Sequence, residues 1–390
     1  MARKVLKTLR VLGTHEILIE PIRRQAKIDL GINIEEQITD SMDAVHRAVT
    51  APDSFDVYHQ WHTVDLIWSA GSIQPIEIDR IDYWDEIALS AENGAGLKED
   101  PHRSGPQSKL FLQADGSLDL NPTGLASMVP TLHGVDAPGY IQSVRNKIMG
   151  DIDDSWAWLV DDRWQGKVAL PCDPSLGIIE AALALEASKQ LTFHDIGNLQ
   201  EEEIDAIVSI LIRKKKVGHF RGFWSYGEES ERLMSRGGVC LQSIWSPSVY
   251  RLRQMGVDVV CAAPVEGYRG WYAGLCLSSR VNPEILDTAY AYLNWWLGGK
   301  PGSILSRQGY YAATPQRARG FLAENEWDFW YANKAAATEL VDPFGNVCIQ
   351  PGEVRHGGSY ITRMSHVRVW NRFMDEQNYL VRRWREFLNA

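Results

Sequence analysis

Residues Gly218 to Ser279 read GHFRGFWSYGEESERLMSRGGVCLQSIWSPSVYRLRQMGVDVVCAAPVEGYRGWYAGLCLSS. Within this stretch a helix leads to a buried strand ending at Trp245. A helix capped by Ser246 follows, then a second strand over VDVVC, a Pro-Val-Glu-Gly turn, and a third strand beginning near Trp271. Open α/β sheets hold ligands at strand ends, and that is where the spacing puts Trp245 and Trp271. The stretch offers no nucleophile with an evident base and no metal cluster. It predicts a pocket that holds a molecule without transforming it.

Working outward, the N-terminal part alternates strand and helix. Leu9–Leu12 is a short apolar strand leading into Gly13-Thr14-His15, and a helix over about Ile17–Asp29 stops at Gly31. Ile32–Ile38 alternates as a strand does. Asp40 or Ser41 caps a helix running to Val49. Phe55–Tyr58 is a strand ending at His59-Gln60-Trp61-His62. Repeated strand–helix units imply a wound, mostly parallel sheet. Asn93–Asn121, rich in Gly, Pro, Asp and Ser, reads as an irregular excursion. Met128–Tyr140 reads as an extended segment, Gly166–Leu170 as a strand, Gly177–Ser188 as a helix and Glu201–Lys216 as an amphipathic helix. Ser246-Pro247, Asn282-Pro283 and Thr314-Pro315 are helix-start signals. Val367, Trp370, Met374, Val381, Trp384 and Leu388 form an apolar stripe that predicts one long C-terminal helix packed on the body of the protein.

With 390 residues and 45% apolar content, the chain is expected to form a two-domain globular protein. Its net charge of −10 argues against nucleic acid, since no basic tract could neutralise many phosphates. The basic run Arg213–Lys216 ends a helix with an acidic start, which suits the helix dipole. No apolar run reaches the ~20 residues that span a bilayer. Met1–Arg10 is basic, but Val11 onward lacks the long apolar core and small-residue cleavage site of a leader, so the protein is either cytosolic or exported with its leader removed. The five cysteines, Cys172, Cys240, Cys261, Cys276 and Cys348, show no zinc spacing. They allow one disulfide and leave at least one free thiol. No cofactor is expected.

The chain resembles extracellular solute-binding proteins of bacterial ABC transporters, in their spermidine/putrescine-binding branch. The resemblance rests on FDVYHQWHTVDLIWSAG (Phe55–Gly71), MVPTLHGVDAPGY (Met128–Tyr140) and SWAWLVDDRWQGKVALPCDPS (Ser155–Ser175). GGVCLQSIWSPS (Gly237–Ser248), APVEGYRGWYAG (Ala263–Gly274) and LNWWLGG with GYYAATPQ (Leu293–Gln316) complete it. It implies an α/β, two-lobed, type II periplasmic-binding-protein-like fold. Each lobe would be a mixed, mostly parallel sheet flanked by helices, joined by two crossover segments near Pro130–Asp136 and Pro264–Tyr268, with an extra C-terminal helix. Residues 1–132 with 267–347 would form one lobe, 133–266 the other, and 348–390 a tail. A monomer in the periplasm or outside the cell, delivering a small solute to a membrane ABC permease, is the implied setting.

Carried over residue by residue, the resemblance places solute contacts at Thr14, His15, Gln60, Trp61 and His62, an acidic amine-holding group at Asp173, and pocket tryptophans at Trp245 and Trp271. Two family carboxylates fall on Ala273 and Leu176, which counts against a polyamine. From the residues themselves, Trp61, Trp245 and Trp271 with Tyr268 and Tyr310 make an aromatic box for a cation. His133 adds a polar group, Ser246 heads a helix that could hold an anion, and Glu266 either meets solute or orders its turn. Arg269 reads as a surface residue. A monocationic or zwitterionic amine suits this set, and a sugar face is the alternative. The rival classes are an enzyme using Cys172 or Cys261 as a nucleophile near His133, and a cytosolic sensor.

Overall fold

The computed structural model describes residues 8–88 and 105–390. Residues 93–104 of the expected irregular excursion lie outside that range. Most strands are short apolar runs, and ten of them carry the main sheet. They are β1 (Thr8–Thr14), β2 (Asn33–Thr39), β3 (Val57–Trp61), β4 (Val129–Ile141), β5 (Val168–Pro171), β6 (Phe220–Trp224), β7 (Leu241–Ile244), β8 (Val259–Cys261), β9 (Tyr268–Ser278) and β10 (Val367–Trp370). Two-residue strands at Ile73–Gln74 and Tyr311–Ala312 complete it. The order is β6-β5-β7-β4-β9-β3-β1-β2, with β8 added to β4 and β10 to β9. The β1–β2, β1–β3, β5–β6 and β5–β7 pairs are parallel, as helical crossovers require. β6 adds a strand ahead of those read from the sequence.

β4 decides the architecture. Up to Asp136 it pairs antiparallel with β9, and from Ala137 to Tyr140 with β7, with β8 joining over Gly139–Ile141. The chain therefore passes from one half-sheet to the other inside a single strand. It returns through residues 262–267, between β8 and β9. The helices that matter below are α1 (Pro174–Ala187), α2 (Glu201–Lys216), α3 (Gly227–Arg236), α4 (Ser246–Gln254) and α5 (Gln377–Asn389). α2 spans the residues expected for it. Ser246 is its helix's first residue rather than its cap: Trp245 holds the cap position of α4 and no side chain caps it. Asn282 accepts from the Glu284 N–H in a turn, and the following helix begins only at Leu286.

The C-terminal stripe is not one helix. Val367–Trp370 is the strand β10, and α5 spans only Gln377–Asn389. The reason is an open sheet edge. β3 covers β9 only from Ala273 to Leu277, leaving the edge at Tyr268–Gly270 unpaired, and β10 fills it in parallel. β-branched Val367 and Val369 suit that role. Beyond it, α5 buries Leu380, Trp384 and Phe387 against α1 and α2. Lys215, near the end of α2, donates to the carbonyls of Phe387 and Leu388 at the end of α5.

α1 is apolar on every side because it is covered by the sheet on one face and by α5 on another. Its Gly177 is where the indole of Trp384 comes closest: a Cβ there would lie 2.1 Å from Trp384 Cζ2. Alanine in a helix interior normally gains 0.5–1 kcal/mol, roughly, over glycine. Gly177→Ala is instead expected to destabilise by about 1–3 kcal/mol, through overpacking. Urea unfolding measures the sign, and a stabilised variant would show that α5 does not dock in this way.

Candidate functional site

A cavity of about 1070 Å3 opens between the two half-sheets. Strand parity decides which side chains reach it, since successive residues point to opposite faces. On β9, Arg269 and Trp271 line the cavity, while Tyr268 and Tyr272 face the other way. The cross-strand partners follow suit: Asp136 opposite Arg269 and Gly134 opposite Trp271 are on the cavity side. A Cβ on Gly134 would sit 2.5 Å from Trp271 Cζ2, so glycine makes room for the indole.

Seven of the expected residues line this cavity: His15, Trp61, His62, Asp173, Trp245, Trp271 and Tyr310. Trp61, Trp271 and Tyr310 form one wall, packed edge to face with centroids 5.0, 6.0 and 4.9 Å apart. Trp245 stands on the other wall, edge to face with Trp224 at 5.2 Å. Among the described residues, no lysine or arginine is stacked on any of these five rings. Asp173 caps α1, its Oδ1 accepting from the Ser175 N–H and hydroxyl.

The other six candidates are placed elsewhere. His133 faces away from the cavity, opposite Tyr272, and its Nε2 bonds the Tyr360 hydroxyl. Tyr268 lies under the guanidinium of Arg363, 5.0 Å from its ring. Gln60 donates to the Ser41 carbonyl and accepts from the Trp61 N–H. Glu266 orders its turn, accepting from the Ser155 hydroxyl and the Trp156 N–H. Ser246 lies beside Gly309, and Thr14 is fully buried in the core. Since Tyr268 and Trp271 are three residues apart on one strand, parity alone separates them.

Arg269, read from the sequence as a surface residue, is 1% exposed. It lies at the cavity floor, its Nη2 2.9 Å from Asp136 and 3.1 Å from Glu180. Two charged residues must meet wherever Arg269 and Asp136 share a face of paired strands. Glu180 also carried a signal, as the one acidic group in the middle of the apolar helix α1. Burial pushes the Glu180 carboxyl up to about 7, against the opposing pull of Arg269 and of the Ser243 hydroxyl. Burial raises Asp136 as well, with Arg269 and the Trp271 indole opposing. His62 is held down to about 3 by burial and by the nearby Arg269 charge, so it is neutral. Burial also raises Glu16, another cavity carboxyl that sequence reasoning missed.

Leu176 lines the cavity without a charge, and Ala273 is buried against Trp61 and Leu132 in the sheet. Negative charge is supplied instead by Glu16, Asp40, Asp136, Asp173, Glu228 and Glu231, against four arginines. Burial pushes the thiols of Cys172 and Cys261 up, the reverse of what a nucleophile needs, and all five cysteines are free. Among the described residues, no group of three or more His, Cys, Asp or Glu side chains could hold a metal ion, and no helix is long and apolar enough to cross a membrane.

No protein-family model matches the sequence, and no curated protein matches it either. Solved structures do. The spermidine/putrescine ABC transporter substrate-binding protein PotD from Streptococcus pneumoniae superposes with a TM-score of 0.63 at 13% identity, covering 98% of this chain and 99% of its own. The TpPotD lipoprotein of Treponema pallidum gives 0.63 at 10%, with the same coverage. MotA from Agrobacterium tumefaciens B6, in complex with glucopine, gives 0.60 at 13%, again covering 98% and 99%. The fold is that of type II periplasmic binding proteins. It is the α/β architecture expected from the ordered motifs.

The buried carboxyl of Glu180 sets a pH dependence. A carboxyl raised from its ordinary 4.5 to about 7 binds a proton more tightly in the folded state. Its contribution is fully present below about pH 4.5 and is lost as pH rises through about 7. Glu180→Gln is expected to flatten the fall in stability between about pH 5 and 7, where one such group gives a limiting slope of ~1.4 kcal/mol per pH unit. Denaturant titrations at four pH values measure this. An unchanged slope in the variant would place the titration elsewhere.

Proposed function

We infer that the protein is the substrate-binding component of an ABC importer, capturing a small cationic or zwitterionic amine-type solute and delivering it to a membrane permease. One observation carries this reading: a single large cavity takes aromatic rings from both half-sheets, and its walls hold six carboxylates against four guanidiniums. A cation between indole faces is attracted by about 0.5–2 kcal/mol per ring, more when water is excluded. The excess of carboxylates favours an amine over a neutral sugar. The fold agrees, as do the names of similar structures, which cite spermidine/putrescine and glucopine.

In this reading, residues 1–132 with 267–347 and residues 133–266 act as two jaws, with 348–390 as a tail braced against them. Solute would bind reversibly and favour the closed arrangement by touching both walls, its unequal affinity for the two arrangements supplying the energy. The permease would read the closed shape, and the protein would work as a monomer outside the cytoplasmic membrane. Nothing is done chemically to the solute.

A thermal-shift screen over amines, betaines, amino acids, sugars and polyamines tests the reading, because a ligand that binds only the folded state raises Tm. Singly charged or zwitterionic amines are expected to give the largest rise. Trp245→Ala and Trp271→Ala should each weaken the best ligand at least tenfold. A largest shift with spermidine or putrescine would defeat the choice of solute, and a protein indifferent to the whole panel would defeat solute binding itself.

A further inference from the structure

The tail contributes a residue to the cavity floor that neither the motifs nor the aromatic box foretold. Directly after β10, the Asn371 N–H donates to the Gly270 carbonyl, between Arg269 and Trp271. This bond seats Asn371 beside the floor, among the residues that line the cavity. It is 1% exposed, and among the described residues neither Oδ1 nor Nδ2 finds a hydrogen-bond partner. A buried amide with both ends unpaired is unfavourable unless something else supplies the partners. Its neighbour Arg269 is in the same position: Nη2 is committed to Asp136 and Glu180, while Nε is buried without a partner.

We propose that Asp136, Arg269 and Asn371 form a head-group site for a zwitterionic α-amino carboxylate, an amino acid or an amino-acid conjugate. The assignment rests on the solute-binding reading above and narrows its solute. The floor offers one carboxylate, one guanidinium N–H, and one amide with a donor and an acceptor side by side. An α-amino acid presents the complement, an ammonium beside a carboxylate. The ammonium meets Asp136 and Asn371 Oδ1, and the carboxylate meets Arg269 Nε and Asn371 Nδ2. A plain amine would satisfy the acceptors and leave both donors unpaired. A sugar could pair with the amide but would leave the charges of Asp136 and Arg269 without a ligand counterpart. The aromatic walls above the floor then hold whatever the α-carbon carries.

The test compares each of the twenty standard L-amino acids and L-ornithine with its decarboxylated amine, by thermal shift and then by calorimetric titration of the full chain. At least one amino acid is expected to bind at least tenfold tighter than its amine. Asn371→Leu should weaken that amino acid at least tenfold while leaving Tm of the free protein unchanged or raised, because it removes an unpaired buried amide. Asn371→Asp keeps the acceptors and drops the donor, so it should move the preference toward the amine. Amines binding as tightly as their amino acids, or Asn371→Leu leaving affinity within twofold, would overturn the head-group site yet leave solute binding standing. If neither these compounds nor the wider solute panel shifts Tm, both readings fall together.

Discussion

Arg269 sits where β4 leaves one half-sheet for the other, paired across the strands with Asp136 and reaching Glu180 on α1. One guanidinium thus ties together the crossing strand, its neighbour and the largely buried helix α1. A buried ion pair is weak evidence for stability as such, but removing one partner leaves an uncompensated buried charge and costs about 3–5 kcal/mol. The arrangement therefore specifies a geometry more than it strengthens one. With Arg269 fixed, parity places Trp271 two residues on against the same cavity, and Gly134 opposite gives its indole room. Both the cavity floor and one of its aromatic walls follow from this junction.

Local signals in the sequence were enough for many of the individual helices and strands. The acidic start and basic end of Glu201–Lys216, the long extended run through Pro130 and Pro138, and the alternating strand and helix units all reflect propensities that act over a few residues. The ordered motifs added the architecture. Half of the candidate site was legible for the same reason: strand ends such as Trp61 and Trp245 can be located once strands are. Tyr268 and His133 were drawn in by their proximity to pocket residues along the chain, although an odd separation on a strand sends a side chain to the opposite face. Arg269 was taken for surface because an arginine is seldom fully buried. Only pairing with Asp136 and Glu180, 133 and 89 positions away in sequence, makes its burial affordable.

The tail was the least legible part for a different physical reason. Val367, Trp370, Met374 and Val381 fit a helical stripe, and a short apolar run does not distinguish helix from strand by period alone. What decides is the unpaired edge of β9 at Tyr268–Gly270, a vacancy that exists only once β3 and β4 are in place. Because β10 is held there, the chain must continue past Gly270, and Asn371 arrives at the floor as a consequence of backbone pairing rather than of any motif.

The same geometry bears on why the walls and the floor differ in charge. The two positions where the sequence resemblance would put carboxylates, Ala273 and Leu176, carry a methyl and an isobutyl group, the first packed in the sheet core between Trp61 and Leu132. A carboxylate at Ala273 would share the buried face of Arg269 and Trp271, where Asp136 and Glu180 already compete for a single cation. Added negative charge there would raise the carboxyls further instead of leaving them ionised for a ligand. The remaining acids stand around the cavity at Glu16, Asp40, Asp173, Glu228 and Glu231, with Glu231 engaged by Arg251. A polycation would have to meet these scattered groups while facing the arginines between them. On the proposed reading, a small group bearing both signs would meet each where it lies, because the floor itself pairs one negative group with one positive.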